Sequence, residues 1–222
     1  EWVKEAPDRA ALYWCNEEGN DTIYTFADIK RLSDKTANVL KGLGIRKGDP
    51  VMLILMQRAE CWTTMLALQK IGAIIIPVTY LLTPKDIVYR CNEAEIKAIV
   101  AVDMPEVLKH IQGAIGQCTT VEHVCIVGDQ IPDGCMDFRK AIAEASEKWE
   151  RPTGDQATKN EDPMLIYFSS GTTGMPKMIL HNFTHPLGQI TTAKYWQQVG
   201  EGDLHLVAAD SGWAKVGWGK IY

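Results

Sequence analysis

Largely apolar runs recur along the first half of the chain, separated by segments of helical period, and this alternation constrains the fold more than any other feature. Pro50 to Met56, Ala73 to Val78, Ile96 to Val102 and Val121 to Val127 are such runs. Stretches that are apolar without strict alternation read as strands buried on both faces. The segments around them read as helices. From Thr25 to Leu43, Phe26, Ile29, Leu32, Ala37, Leu40 and Leu43 fall along one face. Thr25 can cap that helix through its hydroxyl, and Gly44 can close it. Ala59 to Ile71 ends at Gly72, Thr83-Pro84 opens a short helix, and Pro105 to Ile115 and Asp137 to Trp149 complete the set. Strand and helix in turn imply an α/β fold of layered, mostly parallel sheets flanked by helices.

Charge narrows the partners. Against 23 Lys and Arg stand 28 Asp and Glu, a net charge of −5, which argues against a general nucleic-acid or anionic-membrane surface. It leaves room for a small local phosphate site. Apolar runs such as Pro50 to Met56 and Ala73 to Val78 are far below the ~20 residues that cross a bilayer. The first thirty residues show no apolar stretch behind a basic start. The six cysteines, 15, 61, 91, 118, 125 and 135, form no Cys-x-x-Cys pair. They read as free, mostly buried thiols and assemble no zinc site. The expected location is cytoplasmic, with organellar targeting left open if a leader precedes Glu1.

Arg151 to Asp162 is polar, carries Pro152 and Gly154, and reads as a linker. It separates a first α/β subdomain, residues 1–150, from the start of a second, residues 163–222. The chain opens at Glu1 without Met and stops at Trp218-Gly219-Lys220-Ile221-Tyr222, with neither cap nor polar tail. The expectation is an N-terminal portion of a longer protein.

The chemistry concentrates after the linker. Pro163 to Phe168 is an apolar strand that runs into Ser169-Ser170-Gly171-Thr172-Thr173-Gly174-Met175-Pro176-Lys177, and Met178-Ile179-Leu180 resumes a strand. Four hydroxyls, two glycines and a lysine thus share nine residues between two core strands. Glycines let the backbone turn tightly and aim N–H groups into one concavity. The hydroxyls can donate to phosphate oxygens, and Lys177 adds a compact positive charge. The arrangement points to a cradle for a polyphosphate, most simply ATP with Mg²⁺. A plain hairpin turn needs only two to five residues and explains neither hydroxyls nor lysine. Gly-x-x-x-x-Gly-Lys-Ser/Thr is not met, because Pro176 stands five after Gly171 and Met178 follows Lys177.

Tyr167 to Lys177, YFSSGTTGMPK, closely resembles the phosphate-loop signature of the adenylate-forming superfamily of acyl-CoA synthetases, luciferases and peptide-synthetase adenylation domains. The resemblance extends through YTFADIKRLSDKTANVLKGLGIRKGD and WTTMLALQKIGAIIIPV to His181 and DSGWAKVGWGKIY. It looks most like the medium-chain and branched-chain acyl-CoA synthetases. The resemblance implies a ligase that turns a short, medium or branched carboxylic acid and ATP into acyl-AMP, then transfers the acyl group to coenzyme A. It implies that Ser169, Ser170, Thr172, Thr173 and Lys177 contact the β- and γ-phosphates. Gly171 and Gly174 would shape the loop that Met175 and Pro176 complete. It also implies that Trp213, Lys215, Val216, Gly217 and Trp218, with Trp196, shape an acyl pocket, although core packing would equally account for the tryptophans. The acidic Mg²⁺ ligand and the catalytic lysine of such enzymes lie further along, so no residue here takes those roles and the 222-residue piece is expected to be inactive alone. The alternatives are an adenylation domain that loads a carrier protein, and an inactive nucleotide-binding module.

Other motifs are weaker. His181 and His185 stand four apart, but Asn182 replaces the glutamate of His-Glu-x-x-His, so His181 is expected to pack or to face substrate. His110, His123 and His205 have no partners at meaningful spacing. No Gly-x-Ser-x-Gly is present, which leaves a serine hydrolase unsupported.

Overall fold

A computed structural model describes residues 2–169, 174–200 and 202–214. Helix α1 (Trp2–Glu5) lies against the start of the domain, with Trp2 stacked on Phe26 at 5.9 Å. Strands β1 (Ala10–Cys15) and β2 (Asp21–Thr25) pair as an antiparallel hairpin. The side chain of Asn16 closes the hairpin by accepting the N–H groups of Glu18 and Asn20. The sequence reading missed this hairpin, whose faces are mostly exposed and whose apolar pattern is correspondingly faint.

Helix α2 (Phe26–Gly42) begins as expected at Thr25. Thr25 Oγ1 accepts the N–H of Asp28 while Asp28 Oδ2 accepts the N–H of Thr25, which satisfies two otherwise orphaned donors. Then follow β3 (Pro50–Ile54), α3 (Ala59–Ile71) and β4 (Ile74–Pro77). Next come α4 (Pro84–Glu93), β5 (Ala98–Val102), α5 (Pro105–Ile115), β6 (His123–Val127) and β7 (Met136–Asp137). The series ends with α6 (Phe138–Glu144), β8 (Pro163–Ser169), β9 (Lys177–Asn182) and α7 (His185–Thr192).

Strands β5 and β6 begin two residues later than the sequence reading, at Ala98 and His123, and two further boundaries differ for identifiable reasons. The run to Met56 stops being a strand at Ile54, and Met56 turns the chain with φ 52°. The helix expected to reach Trp149 ends at Glu144, where Ala145 turns extended. Side chains of α2 take the carbonyls there. Lys35 Nζ donates to Ala143, and Asn38 Nδ2 donates to Ser146 and Lys148.

The mixed α/β architecture is the expected one. Seven strands form one sheet in the order β7-β6-β5-β3-β4-β8-β9. All neighbours are parallel except β8 and β9, which are antiparallel. Strands β3, β4 and β5 are buried on both faces. Helix α3 is buried nearly all round, through Cys61, Trp62, Met65 and Leu68 among others. The segment 151–162 packs down, with Lys47 Nζ on the Ala157 carbonyl at 2.8 Å and on Asp162 at 2.7 Å. It leads into β8, which pairs with β4 at Ile75 and Leu165, so the polar stretch does not interrupt the sheet. The six cysteines are free thiols, and burial pushes that of Cys125 up to about 12.

Candidate functional site

The chain leaves β3 for β4 on one side and later returns to β5 on the other. In open parallel sheets the crevice at the carboxyl ends of such diverging strands is the usual place for a ligand. Here Arg58, after β3, and Asp103, after β5, approach to 3.5 Å. Asp103 also accepts the N–H of Asp129 at 2.7 Å.

The phosphate-loop candidate sits at the other side of the sheet, between β8 and β9. The ladder pairs Phe168 with Met178 and ends on Ser169 opposite Lys177. Both ends of the segment are therefore held in regular structure. Gly174 adopts φ 93°, a conformation that glycine enters at no steric cost. Met175 and Lys177 are exposed. Ser170, Gly171, Thr172 and Thr173 lie outside the described residues. Strand β9 is not the core strand that the sequence suggested. It runs from Lys177 to Asn182 at the sheet edge, and Met178, Ile179 and Leu180 are exposed.

His181 follows on the same face of β9 as Ile179, diagonal to Tyr167 across the ladder. Its ring meets that of Tyr167 edge-on at 6.2 Å and that of His185 at 4.2 Å. Burial holds the His181 imidazole below its usual range, and burial followed by the charge of His181 does the same to His185. Among the described residues no group of three or more His, Cys, Asp or Glu side chains could hold a metal ion.

The acyl-pocket candidates are only partly placed. Lys215, Val216, Gly217 and Trp218 lie outside the described residues. Trp196, in the single π turn Ala193–Gln197 after α7, is 73% exposed, and Trp213 is 64% exposed. Neither indole is a core residue, and neither closes a slot among the described residues. What the structure does place is the segment leading to Trp213. Gln57 Nε2 donates to the Ala209 carbonyl. Gly212 lies so close to β4's exit that a Cβ there would stand 2.2 Å from the Thr79 nitrogen. Ser211 is buried, and Asp210 accepts the N–H of Gly212 at 2.8 Å. Burial raises the Asp210 carboxyl above its usual range, against that hydrogen bond. The segment thus lies over the carboxyl ends of β3 and β4.

Sequence reasoning missed Gln57, Gly212 and two residues of α4. Tyr89 Oη donates to the Pro176 carbonyl at 2.9 Å, and Arg90 lies over the Phe168 ring at 5.0 Å. Only Gly212 carried a local signal, as the small residue of an Asp-Ser-Gly turn. A separate cavity of about 420 Å³ between α2, α3 and α6 contains none of the expected site residues.

A mostly parallel α/β sheet that ends in a glycine- and hydroxyl-rich strand–loop–strand is the build of the adenylate-forming enzymes. The family described as AMP-binding enzyme matches residues 1–215, and the chain belongs to it. It is 32% identical over 214 residues to the mitochondrial acyl-coenzyme A synthetase ACSM5 of Homo sapiens, covering 96% of this chain and 36% of that one. It is 33% identical over 220 residues to the mitochondrial acyl-coenzyme A synthetase ACSM4 of Mus musculus, covering 98% of this chain and 37% of that one. The fold superposes on the Brucella canis acyl-CoA synthetase with a TM-score of 0.79 at 26% identity, covering 95% of this chain and 37% of that one. The chain therefore spans little more than a third of the length of these relatives.

Proposed function

We propose that the whole protein is an ATP-dependent, AMP-forming acid–thiol ligase that activates a short, medium or branched carboxylic acid and transfers its acyl group to coenzyme A. The observation that carries this reading is the sequence YFSSGTTGMPK mounted on the last rung of β8 and β9, with Ser169 opposite Lys177. Kinship with acyl-coenzyme A synthetases supports coenzyme A over a carrier protein as acceptor.

In the first step a carboxylate oxygen attacks the α-phosphorus, the bond to the bridging oxygen breaks, and pyrophosphate leaves with the electron pair. In the second, the coenzyme A thiolate attacks the acyl carbonyl and AMP leaves. Ser169, Ser170, Thr172, Thr173 and Lys177 hold the β- and γ-phosphates, where negative charge accumulates as pyrophosphate departs. Fixed donors and a cation placed there before the reaction lower its barrier. Gly174 gives the loop a turn at φ 93°, and Gly171, Met175 and Pro176 belong to the same motif. No group of three or more His, Cys, Asp or Glu among the described residues could hold Mg²⁺.

The acyl group is assigned to the segment that crosses the carboxyl ends of β3 and β4, which includes Trp213 and runs on in sequence to Lys215, Val216, Gly217 and Trp218, with Trp196 as a further candidate. The docking of Ala209 on Gln57 and of Gly212 on Thr79 supports that placement. No helix among the described residues is long and apolar enough to cross a membrane. The mitochondrial names of the relatives favour an organellar over a cytoplasmic location.

The deciding experiment is exchange of radiolabelled pyrophosphate into ATP by the whole protein across a panel of linear, branched and aromatic acids. Acid-dependent exchange, with acyl-CoA formed once coenzyme A is added, is expected. Exchange that no acid stimulates would overturn the reading.

A further inference from the structure

The phosphate loop is polar and glycine-rich, so it has no apolar core of its own to hold it. A cradle lowers a barrier only if its donors stand in place before charge arrives. What fixes this one is found 87 residues away in sequence, on α4. The helix starts at a second capping box, Thr83 with Asp86, and has Pro84 in its first turn. Asp86 in turn fixes Arg90, whose Nη1 reaches the Asp86 carbonyl at 3.1 Å and its carboxylate at 3.5 Å.

From that base two adjacent side chains reach both stems of the loop. Arg90 places its guanidinium 5.0 Å from the ring centre of Phe168, the next-to-last residue of β8. Tyr89 meets the same ring edge-on, with centroids 6.4 Å apart. The Tyr89 hydroxyl donates to the carbonyl of Pro176, the residue immediately before β9, at 2.9 Å. One helix thus grips residue 168 on the way in and residue 176 on the way out, with the loop hydroxyls between.

We infer that Tyr89 and Arg90 are positioning residues that hold the two stems of the phosphate loop in register for the nucleotide; the inference rests on the ligase reading only for what the loop binds. Neither side chain need touch ATP. Their effect passes through Phe168 and Pro176 to Ser169 and Lys177.

The test uses the whole protein with Tyr89→Phe, which removes the hydroxyl and keeps the ring, and Arg90→Lys, which keeps the charge and loses the planar face. Tyr89→Phe is expected to raise the KM for ATP about three- to tenfold, the worth of one lost hydrogen bond. The KM for the acid should stay within about twofold and the melting temperature within about 2 °C. Arg90→Lys is expected to act in the same direction, by about two- to fivefold. Amide hydrogen exchange at Lys177 and Met178 should quicken in both variants, with β3 and β5 unchanged. Unaltered ATP binding in both folded variants overturns the inference. So does an equal loss for ATP and acid with a lowered melting temperature, which is mere destabilisation. Should the wild-type protein bind ATP but show no acid-dependent pyrophosphate exchange, the ligase reading falls while ATP affinity and hydrogen exchange still decide the role of α4.

Discussion

Ser169 and Lys177 stand opposite one another as the last rung of the β8–β9 ladder. Their Cα atoms are therefore about 5 Å apart, the spacing of an antiparallel pair. The loop between them leaves and re-enters the sheet at one place, and the only cation of YFSSGTTGMPK is rooted at its exit.

Replacing Lys177 by Met should therefore act on chemistry and not on folding. The side chain is exposed, so its loss leaves no buried void, and the melting temperature should move by no more than about 1 °C. Acid-dependent pyrophosphate exchange by the whole protein should fall about ten- to a hundredfold, as expected for losing one charge-assisted contact to the phosphates. A rate within twofold of wild type would remove Lys177 from the cradle.

Gly212 makes the opposite kind of prediction. A Cβ at this position would lie 2.2 Å from the Thr79 nitrogen and 2.5 Å from the Val78 carbonyl carbon, both backbone atoms. Backbone cannot swing aside as a flexible side chain can. Gly212→Ala should push the segment off β4 and cost about 1–3 kcal/mol, read as a lower unfolding midpoint together with a higher KM for the acid. Gly116→Ala serves as the control, because space around Gly116 is open and its φ of −64° suits any residue.

Asp34 should be the most sensitive charge in the interface between α2 and α3. It is 2% exposed and receives Lys70 Nζ at 2.6 Å and Lys30 Nζ at 2.5 Å. Burial draws the Lys70 ammonium below its usual range while Asp34 opposes that shift. Asp34→Ala removes the compensation and leaves Lys70 with two uncharged acceptors, Ser33 Oγ at 2.6 Å and the Lys30 carbonyl at 3.4 Å. A loss of about 2–4 kcal/mol in chemical denaturation is expected, because a half-buried charge is stranded. Lys30 can turn to water. The pair Asp34→Leu with Lys70→Met should recover most of that loss, since no charge then remains buried.

Elements with strong local chemistry were legible in the sequence. Thr25 and Thr83 cap helices where hydroxyl and acid stand three apart, and Gly72 ends α3 in a left-handed turn. Buried strands such as β5 show as apolar runs because both of their faces are covered. What was illegible depends on distant partners. Helix α6 stops early where Lys35, about a hundred residues back, takes the Ala143 carbonyl and Asn38 takes the Ser146 carbonyl just past the helix end. The cradle motif was plain as a string, yet its anchors Tyr89 and Arg90 look like any surface residues of an amphipathic helix until β8 is laid beside β4. For the tryptophans the sequence left an acyl pocket and core packing equally open, because hydrophobicity alone does not say which surface a side chain faces. Trp196 and Trp213 are exposed in the described chain.

The two histidines beside β9 give the chain a pH dependence whose sign is fixed by their surroundings. His181 and His185 lie ring against ring at 4.2 Å, and Tyr167 closes one side of His181. Both imidazoles titrate below the ordinary 6.5, His181 through burial and His185 through burial and then the charge of His181. The unfolded chain, free of both effects, takes up protons first as pH falls, so acidification favours unfolding. The stabilisation is present above about pH 6.5 and is lost as pH falls from there through the lower folded values. The unfolding midpoint should accordingly drop between about pH 7 and about pH 5. His185→Gln should flatten that drop, because it removes one of the two depressed groups and leaves only His181, which burial alone depresses. Parallel curves for wild type and His185→Gln would assign the dependence to other groups and leave the histidine pair a packing role only.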